Sequence, residues 1–316
     1  MENNQCSLLR EYISKSDNIV FFGGAGVSTE SGIPDFRSKN GLYNQHNIQF
    51  NKYSPEYLLS RECLYNNPKL FYEFYRQKMD TRNIEPNITH KVLTKMEEQG
   101  RLKAIVTQNI DGLHQKAGSK NIFEIHGTTK RNYCSKCKKE YSSDFLFNTK
   151  EAIPKCKCRG LIRPDIVLYG EDLPNNVVNK AIKAIREADC LIIAGTSLTV
   201  YPADNYITFF KNKKLIVINK EKICLPINNN ALIIKDSLGN VFAEIDTILN
   251  FLDSVEKELT TNIVDLSNFD VSKASQIAKD IIKIIDWNDS TLMHKGLLWI
   301  TKNYLIKNGY ILENKI

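Results

Sequence analysis

Short apolar runs rich in valine, isoleucine and leucine recur along the chain, at 19–22, 104–107, 190–194, 214–218 and 231–234. Each is four or five residues long and lacks polar alternation. Such runs predict strands covered on both faces. Amphipathic stretches lie between them, and 176–188 carries apolar residues at helical spacing. Strand and helix signals in alternation predict an α/β fold built on a Rossmann-like parallel sheet.

Two intervals are too long for simple crossovers. Residues 38–101 carry helical patterns with Phe71, Tyr72, Phe74 and Tyr75, and residues 127–163 carry four cysteines. The expectation is one unit over 1–253. In it the sheet domain bears a smaller domain, made of a helical insertion at about 38–101 and a cysteine module at about 127–163. A ligand cleft would lie between the two. Beyond 253 the character changes. Residues 259–269 are polar and irregular, and 272–286 places Ala274, Ile277, Ala278, Ile281, Ile282 and Ile285 at helical spacing. A further amphipathic stretch, 290–308, ends at Gly309. The segment 254–316 therefore reads as a helical C-terminal extension with no assignable role.

Composition narrows the class. The apolar fraction of 42% and charged fraction of 25% are ordinary for a soluble globular chain. No apolar run approaches the ~18–20 residues of a membrane span, and the start lacks a signal-peptide pattern. The expectation is a cytoplasmic protein with no membrane partner. Eight cysteines are too few for a disulfide scaffold. The formal charge of +7 is concentrated between Lys130 and Arg163, where ten basic residues face three acids. A basic module of this kind could meet nucleic acid or an acidic partner. A solvated, lysine-rich surface is the preferred reading.

Five groups of residues carry candidate chemistry. Gly24-Ala25-Gly26 follows the first run directly, and such a turn lets backbone N–H groups approach a pyrophosphate at a helix N-terminus. Thr29 stands where a third glycine would be, and Phe36 and Arg37 follow a Gly-Ile-Pro-Asp turn. Gln108, Asn109 and Asp111 follow the second run, in a stretch that is equally a good turn signal. His126 precedes a glycine at the edge of the cysteine module and is either a general base or a structural histidine. Gly195, Thr196 and Ser197 follow the third run and Asn219 ends the fourth, where they trace one sheet edge. Cys134-x2-Cys137, eighteen residues and Cys156-x-Cys158 have the paired spacing of a four-thiolate site. Four cysteines leave zinc no open position, so one structural zinc is expected.

Taken together these segments resemble the sirtuins, NAD-dependent protein lysine deacylases, in their bacterial form with a C-terminal helical extension. The matching segments are GAGVSTESGIPDFR at 24–37, TQNIDGLH at 107–114, His126-Gly127, the four cysteines, RPDIVLYGE at 163–171, GTSLTVYPA at 195–203 and VIN at 217–219. They cover roughly residues 5–250. The resemblance implies that Gly24, Ala25, Gly26, Thr29, Phe36 and Arg37 line the pyrophosphate and nicotinamide-ribose end of NAD. It implies that Gln108, Asn109, Ile110 and Asp111 hold the nicotinamide and its ribose, with Asn109 and Asp111 part of the catalytic group. Gly195, Thr196, Ser197 and Asn219 would hold the adenosine half. Val167, Leu168 and Tyr169 would lie along an acetyl-lysine peptide that adds as an extra strand, and His126 would be the catalytic base.

The implied activity is an NAD-dependent deacetylase that moves the acetyl group of acetyl-lysine to ADP-ribose and releases nicotinamide. NAD is then a consumed co-substrate. Some relatives bind acidic acyl chains through a Tyr-x-x-Arg pair. Here that place holds Tyr72-x-x-Tyr75, with Arg76 one position beyond. One helical residue is about 100° of rotation, so acetyl is favoured over succinyl. Two competing readings use the same scaffold: an NAD hydrolase or ADP-ribosyltransferase, and an NAD-sensing zinc-containing regulator.

Overall fold

In a computed structural model that describes residues 3–35, 41, 50, 52–198, 203–212, 214–221 and 231–261, the apolar runs form the body of a six-stranded sheet. In chain order the helices are α1 (Asn3–Ser14), α2 (Pro55–Leu58), α3 (Arg61–Asn66), α4 (Pro68–Lys78), α5 (Ile88–Glu98), α6 (Leu113–Ala117), α7 (Ser143–Asn148), α8 (Asn175–Glu187) and α9 (Leu238–Thr261). The strands are β1 (Ile19–Gly23), β2 (Leu102–Thr107), β3 (Ile122–Glu124), β4 (Gly127–Cys134), β5 (Glu140–Ser142), β6 (Ile162–Ile166), β7 (Cys190–Ala194), β8 (Lys214–Ile218) and β9 (Leu232–Ile234).

The large sheet is parallel throughout, in the order β3-β2-β1-β7-β8-β9. This is the doubly wound dinucleotide-binding order, with its switch point between β1 and β7. The two-residue period of a strand divides the apolar residues between two layers. Phe21, Ile105, Ile192, Ile216 and Ile218 pack with residues of α1, α5 and α9. Phe22, Val106, Ile193, Leu215 and Val217 pack with residues of α8 and of the 3-10 helix at Ala203–Phe209. β3, a three-residue edge strand, lies outside the five apolar runs.

The second sheet, β5-β4-β6, is antiparallel. It shares one core with α2, α3 and α4. Phe71, Tyr72 and Tyr75 pack there with Cys134, Leu146, Cys156 and Ile162. Ser54, Ser60 and Ser142 cap α2, α3 and α7 by accepting backbone N–H bonds from Tyr57, Cys63 and Phe145.

Two boundaries read from the sequence shift. Residues 88–98 turn their apolar face to the large sheet. α5 buries Val92, Leu93 and Met96 in the large-sheet core, because the insertion's chain returns to the sheet before β2. Position 253 falls inside α9, which continues to Thr261. The helices expected at 272–286 and 290–308 lie outside the described residues. No helix among the described residues is long and apolar enough to cross a membrane.

Candidate active site

The loops after β1 and β7 are nested at the switch point. The Gly26 N–H donates to the Gly195 carbonyl at 2.8 Å, and the Gly24 N–H to the Ala194 carbonyl at 3.2 Å. A Cβ on Gly26 would stand 2.7 Å from the Gly195 Cα, and one on Gly195, whose φ is +59°, would stand 2.5 Å from the Val27 nitrogen. Any side chain at either position would force the loops apart. The cleft that opens here has a volume of about 1510 Å³, larger than the ~300–1,000 Å³ of an ordinary small-ligand pocket. Ala25, Gly26, Thr29, Gln108, Asn109, Ile110, His126, Gly195, Thr196, Ser197 and Asn219 all line it. Gly24 and Asp111 are not in its wall. Phe36 and Arg37 lie outside the described residues.

Behind the wall a polar network joins three segments. The Ser28 hydroxyl donates to the Asp111 carboxylate at 2.7 Å and accepts from the Asn109 amide at 3.1 Å. The other Asp111 oxygen accepts from the Leu113 N–H at 2.9 Å. Burial pushes the Asp111 carboxyl above its ordinary value, although the Leu113 N–H, Ser28 and nearby Lys130 oppose that shift. Asp111 therefore sits one layer back and orients Ser28, and through it Asn109. Ser28 is not among the candidates read from the sequence. A serine in a glycine-rich turn looks like turn chemistry until the fold brings it to Asp111.

His126 follows β3 and stands in the cleft wall. Its Nδ1 meets the Gln108 carbonyl at 2.9 Å. A carbonyl only accepts, so Nδ1 carries the hydrogen and Nε2 keeps the lone pair. Burial lowers the imidazole pKa and the bond to Gln108 offsets only part of that, so the ring rests neutral. Gly127, with φ of +76°, lets the backbone turn there, where a Cβ would strike the Asp165 carbonyl. The side chain of Gln108 accepts from the Thr196 hydroxyl at 2.9 Å, tying the β2 loop to the β7 loop.

Val167, Leu168 and Tyr169 follow β6 along the cleft wall. The Val167 N–H donates to the His126 carbonyl at 2.9 Å, and Tyr169 exchanges two backbone bonds with Leu59 and Arg61. The neighbouring wall is apolar, from Leu59, Ile110, Ile166 and Leu168. Tyr72 gives its hydroxyl to the Ile162 carbonyl at 3.0 Å. Arg76 donates to the carbonyls of Leu146 and Glu151 at 3.1 and 2.8 Å.

The Sγ atoms of Cys134, Cys137, Cys156 and Cys158 lie within 4.8 Å of one another, and among the described residues no other such cluster occurs. Two opposed pairs are 3.3 and 3.6 Å apart. Four ligands at the ~2.3 Å Zn–S distance on a tetrahedron stand roughly 3.8 Å apart, so the set fits zinc. Each half is a tight turn. Lys138 and Arg159 take positive φ, of 61° and 64°, and the N–H groups of Lys136 and Cys137 point at the Cys134 sulfur. The C-x-C half thus closes on the same centre as the C-x2-C half.

The family model described as the Sir2 family matches residues 24–202. The NAD-dependent protein deacetylase of Clostridium acetobutylicum is 53% identical over 234 residues, covering 74% of this chain and 94% of that protein. That of Clostridium perfringens is 51% identical over 246 residues, covering 77% and 99%. Among solved structures, Sir2 bound to acetylated peptide is similar with a TM-score of 0.65 and 32% identity, covering 74% of this chain and 94% of that one.

Proposed function

The chain belongs to the Sir2 family, and from that premise we propose that it is a cytoplasmic NAD-dependent protein lysine deacetylase. It transfers the acetyl group of an acetyl-lysine side chain to ADP-ribose and releases nicotinamide. One observation carries the reading. A neutral histidine with its Nε2 lone pair free of the Gln108 bond stands in the same cleft as a dinucleotide-type glycine loop and an extended edge suited to a peptide.

In this reading Gly24, Ala25, Gly26, Thr29, Phe36 and Arg37 bind the NAD pyrophosphate and adjoining ribose. Gln108, Asn109 and Ile110 hold the nicotinamide end, while Gly195, Thr196, Ser197 and Asn219 hold the adenosine end. Asp111 fixes Ser28 and Asn109 so that neither must reorganise as charge moves in the site. Val167, Leu168 and Tyr169 lie along the substrate peptide, which adds as an extra strand. Positioning the acyl oxygen against the ribose converts a weak nucleophile into an effective one. His126 Nε2 takes the proton from a ribose hydroxyl so that this hydroxyl can attack the acyl carbon.

Cys134, Cys137, Cys156 and Cys158 would hold one zinc ion, which with four thiolates supplies folding energy and no open position for substrate. The catalytic unit would be residues 1–253, and 254–316 would be an extension with no assigned role. Lys136, Lys138 and Lys139 of the first cysteine turn are exposed, and a solvated surface is favoured over a nucleic-acid contact there.

Mass analysis of products from an acetylated peptide and NAD tests the proposal. O-acetyl-ADP-ribose formed one-for-one with free lysine is the expected result. ADP-ribose formed without peptide would make the protein an NAD hydrolase instead.

A further inference from the structure

The segment that would meet the substrate peptide is held by an ion pair that takes no direct part in the chemistry above. Arg163, at the second position of β6, is only 5% exposed. Its two terminal nitrogens engage the two oxygens of Glu171, one at 2.8 Å. The same guanidinium donates to the Ile166 carbonyl at 2.8 Å and to the Pro164 carbonyl at 3.3 Å. Glu171 in turn accepts the Leu168 N–H at 3.0 Å, and its own N–H donates to the Leu168 carbonyl at 2.9 Å. Arg163 and Glu171 therefore close a loop whose far side is Val167, Leu168 and Tyr169.

The outer contacts of that loop complete the picture. Val167 is tied to His126, and Tyr169 to Leu59 and Arg61, so the edge is stretched between the catalytic histidine and the helical insertion. Gly170, with φ of +84° and nothing near its missing side chain, supplies the turn that lets Glu171 fold back. Burial pushes the Glu171 carboxyl up, but the bonds from Arg163 and Leu168 and the nearby charge of Arg61 outweigh it and hold the group ionised. A buried ion pair is a poor source of stability, because a well-packed apolar pair often does as well. Its directional bonds fix one geometry in a way that apolar contact does not.

We propose that Arg163 and Glu171 are positioning residues that clamp the 166–171 turn in the conformation whose edge pairs with the main chain of the acyl-lysine peptide. The clamp acts on substrate docking through Leu168, not on NAD or on the acyl carbon. The proposal rests on the deacetylase reading for its kinetic form, but the clamp itself can be read without turnover.

The test compares the full chain with Glu171→Gln, Glu171→Asp and Arg163→Lys. Two acetyl-lysine peptides of unrelated sequence serve as substrates. Loss of a hydrogen bond to a charged group predicts that Glu171→Gln raises peptide KM about tenfold or more. The factor should be the same for both peptides, since main-chain pairing is what is weakened. NAD affinity, measured by calorimetry, should stay within about twofold. A peptide KM within twofold of the parent, or NAD affinity lost in equal proportion, overturns the clamp. Should Glu171→Gln not fold, Glu171→Asp and Arg163→Lys keep both charges and should show the same split at smaller size.

If the parent protein turns over neither peptide, the deacetylase reading fails and the clamp is judged by hydrogen exchange. Exchange of the 167–169 amides should then quicken about tenfold in Glu171→Gln, with the large sheet unchanged. Unaltered exchange there would sink the clamp.

Discussion

His126 gives its Nδ1 hydrogen to the main-chain oxygen of Gln108, 2.9 Å away, and the Gln108 N–H donates to the Gly23 carbonyl at 2.9 Å. The imidazole is thereby referenced to the end of the same strand that launches the glycine loop. In the proposed mechanism the neutral ring is the reactive form, and burial holds its pKa below the usual 6.5. The value of kcat/KM for peptide should rise with pH through a midpoint below 6.5 and stay level above it. A midpoint above 6.5 would contradict the burial argument. Replacing His126 by Ala should lower deacetylation by ~10²–10⁴ or more, with the fold retained by circular dichroism.

Two further histidines titrate with stability and not with catalysis. His90 and His114 are buried, with ring centroids 4.8 Å apart. Burial lowers both pKa values, that of His90 to about 4 and that of His114 well below its ordinary value, where the charge of His90 adds to the effect. Groups depressed in this way bind fewer protons folded than unfolded, so stability is complete above the unfolded value near 6.5 and falls as pH drops from there toward 4. The contribution of His90 at full extent is roughly 3 kcal/mol. Thermal midpoints measured from pH 7 to 4.5 should fall steadily. His114→Phe should flatten that slope, and an equally steep slope would tell against the pair.

The ease of reading this chain varied with how its segments are buried. Strands β1, β7 and β8 are covered on both faces, and the demand for continuous apolar residues writes them plainly in the sequence. β4 is only partly buried, and its buried positions include Thr128, Thr129 and Asn132, so Gly-Thr-Thr-Lys-Arg-Asn-Tyr-Cys carries no apolar signal. β3 is three residues at an edge. α5 was hidden among aromatic helices of the insertion, because an amphipathic pattern shows that a helix has an apolar face and not which core receives it. The cleft residues were legible where they belong to loops at strand ends. Ser28, Leu59 and the Arg163–Glu171 pair were not, since their roles exist only in contacts between segments far apart in sequence.

Acyl preference follows from where Arg76 is spent. Its guanidinium binds the carbonyls of Leu146 and Glu151 on the small domain, and Tyr72 has given its hydroxyl to Ile162. Both already have partners within the protein and neither lines the cleft, whose wall beside the 167–169 segment is apolar. Burying the carboxylate of a longer acyl chain there unpaired would be costly. In a panel sharing one peptide sequence, kcat/KM for acetyl-lysine should exceed that for succinyl-lysine by about 10²-fold or more. Comparable values would show that a cation outside this set reaches the acyl chain.

Zinc should matter for the small domain and not for the chemistry. Two of the four thiols, Cys134 and Cys156, are themselves part of the core that joins the helical insertion to the antiparallel sheet. Gly160 packs so closely on the Cys134 sulfur that a Cβ there would approach to 2.6 Å. The centre and the core therefore stand or fall together, and metal affinity is in effect folding free energy. The chain should carry one zinc. Cys134→Ser should lose it, with at least about a tenfold fall in peptide turnover. Cobalt offered in its place should give the thiolate-to-metal absorption of a tetrahedral four-sulfur site while leaving kcat close to that of the zinc protein, because no coordination position is open to substrate. A kcat that changes markedly with the metal would move the ion into the reaction. Full activity in a metal-free protein would remove it from the fold.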